Sequence, residues 1–178
     1  MIRFIELPDW SPLNGTLFYK VDEYSMGFNP ERIKDLEVII GNEGTTSLSI
    51  GSLQIEVCIA ARILLYPWGY FPYMRWMRYK LIPPKVISGA VRIDSSTRFE
   101  KGVAVNIADE GELPTLYDPE NDWICIGTTK IPKSAINVEF ATNAIAVIDN
   151  GKLISLWMHP YIDSTIEFNA LGQVQFLV

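Results

Sequence analysis

The sequence is poor in the residues that build metal sites and disulfide frameworks. Its 178 residues include one histidine, His159, and two cysteines, Cys58 and Cys125, which form no C-x-x-C pair. Disulfide-rich secreted domains and zinc sites need several such residues at characteristic spacings. The sequence therefore predicts no disulfide framework and no zinc site, and we expect both cysteines to be reduced and buried.

Long apolar runs are also missing. The longest uncharged apolar stretch lies between Arg62 and Arg75 and has 12 residues. It contains Pro67, Gly69 and Pro72, whereas a bilayer-spanning helix needs about 20 consecutive apolar residues. Near the N-terminus, the apolar segment that a signal peptide requires is interrupted by Glu6, Pro8 and Asp9. We therefore expect a cytoplasmic protein that does not contact a membrane.

Charged residues are few and mostly negative. Lys and Arg total 15 and Asp and Glu total 21, for a net charge of −6, while 48% of the residues are hydrophobic and 12% are aromatic. A chain of this size and composition buries enough apolar surface to fold without a staple, which excludes intrinsic disorder. Its negative charge disfavours direct nucleic-acid binding. We find no linker or repeat, so residues 1–178 are expected to form a single globular domain.

A period of two dominates the hydrophobic pattern. Over residues 53–65 every odd position is apolar and the even positions are mixed, which favours one long half-buried strand. Ala60, Ala61 and Leu64 are good helix formers, so a helix is the alternative for this segment. The pattern predicts an α+β fold that is predominantly antiparallel β, as a meander, a partly open barrel or a curved sheet, with one or two short helices.

Further strands are predicted where β-branched or aromatic residues stand between turn-forming residues. Asn150-Gly151 predicts a type I′ hairpin, because both residues tolerate the positive φ that this turn requires. A second turn is expected at residues 169–172. The predicted strands are 15–21, 37–40, 86–94, 102–107, 123–126, 138–140, 144–148, 152–158, 166–168 and 173–178.

Helix and loop signals are sparse. Pro30 follows Asn29, which can serve as its cap, and Glu31 falls in the first turn, so a short helix is predicted over residues 30–36. Two polar segments, residues 41–49 and 109–121, are expected to be loops.

The net charge is unevenly distributed along the chain. Residues 57–93 contain six bases and no acid, so they carry +6 and the rest of the chain carries −12. Within this span, residues 66–79 contain seven of the 21 aromatic side chains. Aromatic rings beside guanidinium groups are typical of binding surfaces, although the same rings can instead pack into the core with Arg and Lys stems lying across them. The candidate partner-binding patch consists of Arg75, Trp76, Arg78 and Lys80.

The opposite charge is concentrated in residues 109–122, which contain six acids and no base. Such a segment can face a cationic partner, because charge complementarity accelerates association; a solvated surface loop is the simpler alternative. Oxygens at positions 118, 120 and 122 suit a hard metal ion, but Pro119 and Trp123 do not fit a calcium loop, so no metal is predicted. The candidate partner-binding acids are Asp109, Glu110, Glu112, Asp118, Glu120 and Asp122.

Catalytic arrangements are nearly absent from the sequence. His159 precedes Pro160 at the end of an apolar segment, and nothing couples it to a nucleophilic Ser or Cys. The glycines at 41, 44 and 127 stand in no strand–loop–helix context of the kind that cradles phosphate. We therefore expect no catalytic residues and no cofactor.

Three stretches in the last third of the chain resemble small bacterial immunity proteins, which are encoded beside polymorphic or contact-dependent inhibition toxins and neutralise them. The stretches are Tyr117-Asp118-Pro119-Glu120-Asn121-Asp122-Trp123-Ile124-Cys125-Ile126-Gly127, residues 138–143 and residues 151–160. The resemblance implies a cytosolic, non-catalytic protein that binds the C-terminal domain of one toxin tightly. On this hypothesis the acids of residues 109–122 cover a basic site on the toxin.

Two other hypotheses belong to different classes of protein. One is a small-ligand-binding, β-barrel-like protein or enzyme, with a pocket lined by residues 53–65 and the aromatics of residues 66–79. The other is a structural domain of a larger assembly, which would expose an edge strand or an extended apolar patch. A pocket with convergent polar groups would favour the first.

Overall fold

The structure, a computed structural model, describes residues 1–168. These residues form sixteen strands, one α-helix and a short 3₁₀ turn at Tyr73–Arg75. The helix is α1 (Ile33–Ile40). The strands are β1 (Phe4–Leu7), β2 (Gly15–Lys20), β3 (Ser25–Pro30), β4 (Thr45–Ile50), β5 (Leu53–Cys58), β6 (Leu64–Tyr70), β7 (Met77–Arg78), β8 (Ile87–Ser88), β9 (Ala90–Ile93), β10 (Val105–Ala108), β11 (Thr115–Asp118), β12 (Trp123–Gly127), β13 (Ile136–Ala141), β14 (Ala144–Asp149), β15 (Lys152–Met158) and β16 (Tyr161–Ile162).

The strands form two open seven-stranded sheets and one two-stranded sheet. The first sheet has the order β10-β4-β5-β6-β3-β2-β16, the second has the order β7-β11-β12-β15-β14-β13-β8, and β1 pairs with β9. Pairing is antiparallel except at the four edge strands β7, β8, β10 and β16, each of which joins its sheet in parallel. The predicted α+β class, predominantly antiparallel β with a short helix, is confirmed.

Apolar side chains from both sheets meet in one continuous core. Leu53, Ile55 and Val57 of the first sheet and alternate residues of β12, β14 and β15, such as Ile124 and Leu156, belong to the same buried cluster. Alternation places residues two apart on one face of a strand, so each sheet presents one apolar face to the other. This shared core is the main source of stability, since each fully buried aliphatic side chain contributes about 1.5–3 kcal/mol.

The second sheet is buried on its other face as well. Cys125, Ile145, Val147 and Trp157 point away from the shared core and form a second buried cluster with Leu81. Leu81 belongs to residues 79–86, which connect β7 at one edge of the sheet to β8 at the other; we call them the strap. Burial on both faces explains why β12 and β14 are almost continuously apolar.

Hydrogen bonds fix the strap at both ends. The Leu81 N–H donates to Asp118 Oδ2 at 2.8 Å, and the Asn121 amide donates to the Leu81 carbonyl at 3.3 Å. Toward β8, the Asn137 amide donates to the Lys85 carbonyl at 3.0 Å. These bonds satisfy backbone groups of Leu81 and Lys85. The strap cannot pair them in a regular strand ladder, because Pro83 and Pro84 have no N–H to donate.

The predicted Asn150-Gly151 hairpin is confirmed. Asn150 has φ 51° and Gly151 has φ 77°, the two positive values of a type I′ turn. Asp149 pairs with Lys152 across the turn, and the Gly151 carbonyl accepts a hydrogen bond from the Phe4 N–H at 2.9 Å. The turn therefore also anchors the N-terminal strand β1.

The prediction of one long strand over residues 53–65 is wrong, and so is its helical alternative. The segment is a hairpin in which β5 ends at Cys58 and β6 begins at Leu64. Arg62 turns the chain at φ 59°, and its guanidinium donates to the carbonyls of Ile93, Asp94 and Thr97. Both strands present apolar residues to the same core, so the alternation continues through the turn and conceals it.

Helix α1 occupies residues that were predicted differently. The predicted strand at 37–40 is helical, and the helix predicted over 30–36 starts only at Ile33. Pro30 is the last residue of β3, where it pairs with Gly15, so it is not available to begin a helix. Partly buried Leu36, Ile39 and Ile40 pack against the core, and this tertiary contact outweighs the β propensity of Val38-Ile39-Ile40.

Other boundaries also differ from the predictions. The segments 41–49 and 109–121, expected to be loops, contain most of β4 and all of β11. Of the predicted strand 102–107 only residues 105–107 are extended, as the start of β10. The predicted strand 86–94 is interrupted at Gly89, where a Cβ would lie 2.8 Å from the Leu7 carbonyl oxygen. Residues 166–168 carry only a bridge at Phe168, and the predicted turn 169–172 and strand 173–178 lie outside the described residues.

The polar composition of β4 explains why it reads as a loop. Thr45, Thr46, Ser47 and Ser49 interrupt its apolar pattern. In the folded chain the Thr46 hydroxyl donates to the Val103 carbonyl at 2.5 Å and the Ser47 hydroxyl donates to Glu56 at 3.1 Å. Hydrogen-bonded hydroxyl groups can be buried at little cost, but such partners are not visible in the sequence.

Candidate partner-binding face

The six candidate acids fall into two groups separated by β11. Asp109, Glu110 and Glu112 lie in the exposed loop before this strand, which we call the acidic loop (residues 109–112). Asp118, Glu120 and Asp122 lie at its other end, in the turn that leads to β12. A four-residue strand is about 10 Å long, so the two groups stand at opposite ends of one edge of the second sheet.

Asp118 is a structural residue. Its side chain is 2% exposed, and its two carboxylate oxygens accept hydrogen bonds from the Leu81 N–H at 2.8 Å and the Glu120 N–H at 3.0 Å. It thereby joins the strap to the turn after β11. Its burial withdraws it from any contact surface, whereas Glu120 in the same turn is exposed.

Asp122 is partly buried and is held by Tyr117. The Tyr117 hydroxyl donates to Asp122 Oδ1 at 2.6 Å, and Asp122 adopts a φ of 60°. Burial, and then the hydrogen bond and negative charge of Asp122, raise the pKa of the Tyr117 hydroxyl far above its usual value. Tyr117 therefore remains a donor at any physiological pH and fixes this turn.

Internal hydrogen bonds order the acidic loop. The Glu112 carboxylate accepts from the Asp109 N–H at 2.8 Å, and Asp109 Oδ1 accepts from the Asn106 amide at 2.7 Å. Glu110 Oε2 accepts from the Ser52 N–H at 2.7 Å, in the turn between β4 and β5. These bonds fix the positions of the carboxylates, so a partner need not order the loop on binding.

Glu110 also forms an ion pair with Arg75. The two side chains are 42% and 62% exposed, and an ion pair at such exposure contributes only about 0–1 kcal/mol to stability. Its importance is geometric, because it brings together the acidic segment and the cationic aromatic segment, which the sequence separates by more than thirty residues. Beside the pair is a recess of about 240 Å³ lined by Ser52, Tyr70, Pro72, Met74, Arg75 and Glu110.

The aromatic segment divides between core and surface. Trp76 is 1% exposed, and its ring centroid lies 4.8 Å from that of Tyr19, 5.1 Å from Phe71 and 5.4 Å from Tyr117. Burial raises the pKa of the Tyr19 hydroxyl, which donates to the Phe71 carbonyl at 2.6 Å. The core interpretation therefore describes Trp76 and its neighbours, and Trp76 is not available to a partner.

The remaining residues of the candidate patch lie on edge strand β7 and just after it. Arg78 and Lys80 are exposed. Two large exposed side chains lie beside them: Met77 precedes Arg78, and Tyr79 lies between Arg78 and Lys80. Parallel pairing of β7 with β11 sets Met77 beside Leu116 and Arg78 beside Tyr117. Arg75 therefore lies toward the acidic loop and Lys80 toward the Glu120 turn.

These residues form one surface with alternating charge. We call the acidic loop, Tyr70, Arg75 and residues 77–80 the composite face. The sequence-based patch did not include Met77 or Tyr70. Met77 lies in a two-residue edge strand, where no alternation distinguishes an exposed side chain from a buried one, and Tyr70 is exposed because it ends β6. Their position among the arginines of residues 66–79 was the available signal.

Other candidate sites have different locations. A cavity of about 470 Å³ lies between β10, β15 and the N-terminal residues, not along residues 53–65 and 66–79 as the ligand-binding hypothesis expected. His159 stacks on Trp123, with ring centroids 4.8 Å apart and planes inclined by 11°. Within residues 1–168, no three His, Cys, Asp or Glu side chains are grouped as a metal site requires, and no helix is both long and apolar enough to cross a membrane.

The fold and the composite face together define a two-sheet, β-rich protein with an ordered, mixed-charge surface at one sheet edge. No protein-family model and no curated protein matches the sequence. The function is therefore inferred from the geometry of this surface.

Proposed function

We propose that the chain is an immunity-type protein that binds the C-terminal domain of a bacterial toxin and covers its active site with the composite face. The observation that carries the proposal is the Arg75–Glu110 ion pair, which joins the acidic loop and the cationic edge strand in one contact surface. The resemblance of residues 117–127, 138–143 and 151–160 to immunity proteins supports the same class of function.

The order of the acidic loop suits tight association. Immobilising a flexible side chain on binding costs about 0.5–1.5 kcal/mol. Glu110 and Glu112 already hold their orientation through the Ser52 and Asp109 N–H groups. A basic cleft on the toxin, such as one that binds nucleic acid, would find acceptor oxygens in place and would be steered toward them from a distance.

The apolar residues of the composite face supply what charge alone does not. Affinity in protein interfaces is concentrated in a few large side chains at the centre, surrounded by a polar rim. Met77, Tyr79 and Tyr70 are about half exposed, and the acidic loop and Lys80 flank them. Edge strand β7 therefore occupies the centre of the proposed interface and the carboxylates its rim.

The test starts from the reading frame beside the gene. Where that frame encodes a large secreted protein with a variable C-terminal domain, this domain is the toxin used. Co-expression of the two chains should restore growth, and the purified proteins should associate. Reversing Glu110, Glu112 and Glu120 to Lys should slow association at low salt by about tenfold or more and flatten its salt dependence. The matched control reverses Glu31, Glu37 and Glu43. It changes the net charge equally, but around α1 and before β4, at the end of β4 opposite the Ser52 turn.

The outcomes separate the function from the face. A wild-type chain that neither binds nor protects against the toxin domain would refute the proposed function. Binding that is unchanged across a salt series in the first triple variant would refute the acidic loop as the contact. If Arg75→Glu/Arg78→Glu abolishes binding while the acid reversals do not, the partner is acidic and uses the cationic half of the composite face.

A further inference from the structure

A cavity lies at the open end between the two sheets. Its volume is about 470 Å³, and strands β10 and β15 and the N-terminal residues form its walls. Ligand pockets measure about 300–1,000 Å³. A cavity of this size is therefore in the range of a small-molecule site.

The floor of the cavity is apolar and buried. Phe4, Ile50, Ala108, Ile126 and Leu156 are each less than a tenth exposed. Hydrocarbon that occupies the cavity would make dispersion contacts with these side chains and remove its own surface from water.

The cavity has few polar side chains, and its only charged side chain is positive. Of the fifteen lining residues none is acidic, and the only charged side chain is Lys152 on the exposed rim. The Ser155 hydroxyl accepts a hydrogen bond from the Trp157 indole N–H at 3.1 Å, and the Asn106 side chain is engaged with both Ser49 and Asp109. Lys152 is therefore the charged side chain of the lining that can meet the polar end of a ligand.

The Lys152 ammonium is available for an anion. Within residues 1–168, no carboxylate lies within 4 Å of its Nζ. Its cross-strand neighbour Asp149 instead accepts a hydrogen bond from the Ser134 hydroxyl at 2.7 Å. Arg3 lies against Gly151, the residue before Lys152, and adds a second cation beside the rim.

We infer that this cavity binds a small anionic amphiphile, a hydrocarbon chain with a single carboxylate, with the chain on the apolar floor and the carboxylate at Lys152. This binding site is separate from the composite face and does not depend on the proposed toxin partner. A charge-assisted hydrogen bond at a partly desolvated rim is stronger than a neutral one, so the carboxylate should add to the affinity that burial of the chain supplies.

The test is calorimetric titration of the full chain with decanoate and with 1-decanol, which has the same chain and no charge. Wild type should bind one decanoate and bind it about tenfold more tightly than the alcohol. Lys152→Met should reduce that difference, because only Arg3 then remains as a cation beside the rim, and Lys130→Met, at an exposed lysine outside the cavity, should not. At about one hundred times Kd, decanoate should raise the Tm by about 5–10 °C.

A cavity-filling variant locates the site. Ile107→Trp on edge strand β10 places a large ring in the cavity and should weaken decanoate binding by at least about tenfold; Val105→Phe on the same strand repeats the test if the first variant does not fold. Wild-type binding weaker than about 1 mM, or full affinity in a folded cavity-filling variant, would overturn the site. Equal loss of decanoate and decanol binding in Lys152→Met would overturn the anionic ligand.

Discussion

The two seven-stranded sheets share a core but differ on their outer faces. In the second sheet, Cys125 and Trp157 point away from the core and are buried beneath the strap. In the first sheet, the corresponding outward positions carry Gln54, Glu56 and Trp68, all partly exposed. The second sheet is therefore covered on both faces, although irregular connections, the strap and residues 128–135 with Ile131 and Ala135, cover its outer face rather than a layer of helices.

This difference explains where the composite face lies. The strap leaves the second sheet at β7, and exposed apolar and cationic residues lie together on this edge strand and at the start of the strap. A buried residue at the start of the strap, Leu81, is tied to Asp118, so the geometry of the binding edge depends on how well the outer face is covered. Stability and the proposed function are linked at this point.

The largest expected effect compares one tryptophan on each outer face. Trp157→Ala should lower the free energy of unfolding by about 3–5 kcal/mol, because it leaves a cavity under the strap. Trp68→Ala should cost less than half as much, since Trp68 is partly exposed opposite Gln54 on the solvent face of the first sheet. Urea denaturation followed by circular dichroism measures both. Equal losses would show that the two outer faces are not different in burial.

The strap itself is tested by adjacent residues of opposite burial. Leu81 is 2% exposed and Ile82 is 79% exposed. Leu81→Ala should cost about 2–4 kcal/mol and increase dye binding to exposed apolar surface, while Ile82→Ala should change stability by less than about 0.5 kcal/mol. If Leu81→Ala is tolerated as well as Ile82→Ala, the strap does not cover the second sheet.

The same contrast explains how much of the fold could be predicted from sequence. The β14–β15 hairpin was predictable because its apolar strands and the Asn150-Gly151 turn are local signals. The β5–β6 hairpin was not, because Arg62 makes its turn through hydrogen bonds to residues 93–97, about thirty positions away. Strand β4 was missed because its hydroxyl groups find partners only in the folded chain.

The candidate site could be predicted only in part, for the same reason. Charge runs identified the acidic loop and Arg75, but their contact through Glu110 depends on the packing of β4, β5 and β11. Trp76 and Asp118 have the residue types of a binding surface and are nevertheless buried. Residue type and local charge do not distinguish a side chain that binds a partner from one that fixes the scaffold.

Two neighbouring acids test that distinction directly. Asp118→Asn should lower stability by about 1–3 kcal/mol, because the amide retains one acceptor where two backbone N–H groups now donate. Glu120→Gln, at an exposed side chain in the same turn, should change stability by less than about 0.5 kcal/mol. Chemical denaturation of both variants supplies the comparison. Similar losses would mean that the Glu120 side chain also supports the scaffold.

The smallest expected effect is a pH dependence of the free energy of unfolding. It reports how well Cys125 is buried on the outer face of the second sheet. Burial raises the pKa of the Cys125 thiol from 9.0 to about 12. The folded chain then retains a proton that the unfolded chain loses above about pH 9, so the stabilisation is complete below that pH and declines as pH rises toward 12. Between about pH 8 and pH 10 the contribution of Cys125 to the free energy of unfolding should fall by about 1.3 kcal/mol.

Tyr19 and Tyr117, whose pKa values are also raised by burial, add a decline in stability in the same direction. The Cys125 contribution is therefore measured as the difference in pH dependence between wild type and Cys125→Ala, in which both tyrosines remain. Identical curves would show that water reaches the thiol, and the strap would then fail to seal the face that distinguishes the second sheet from the first.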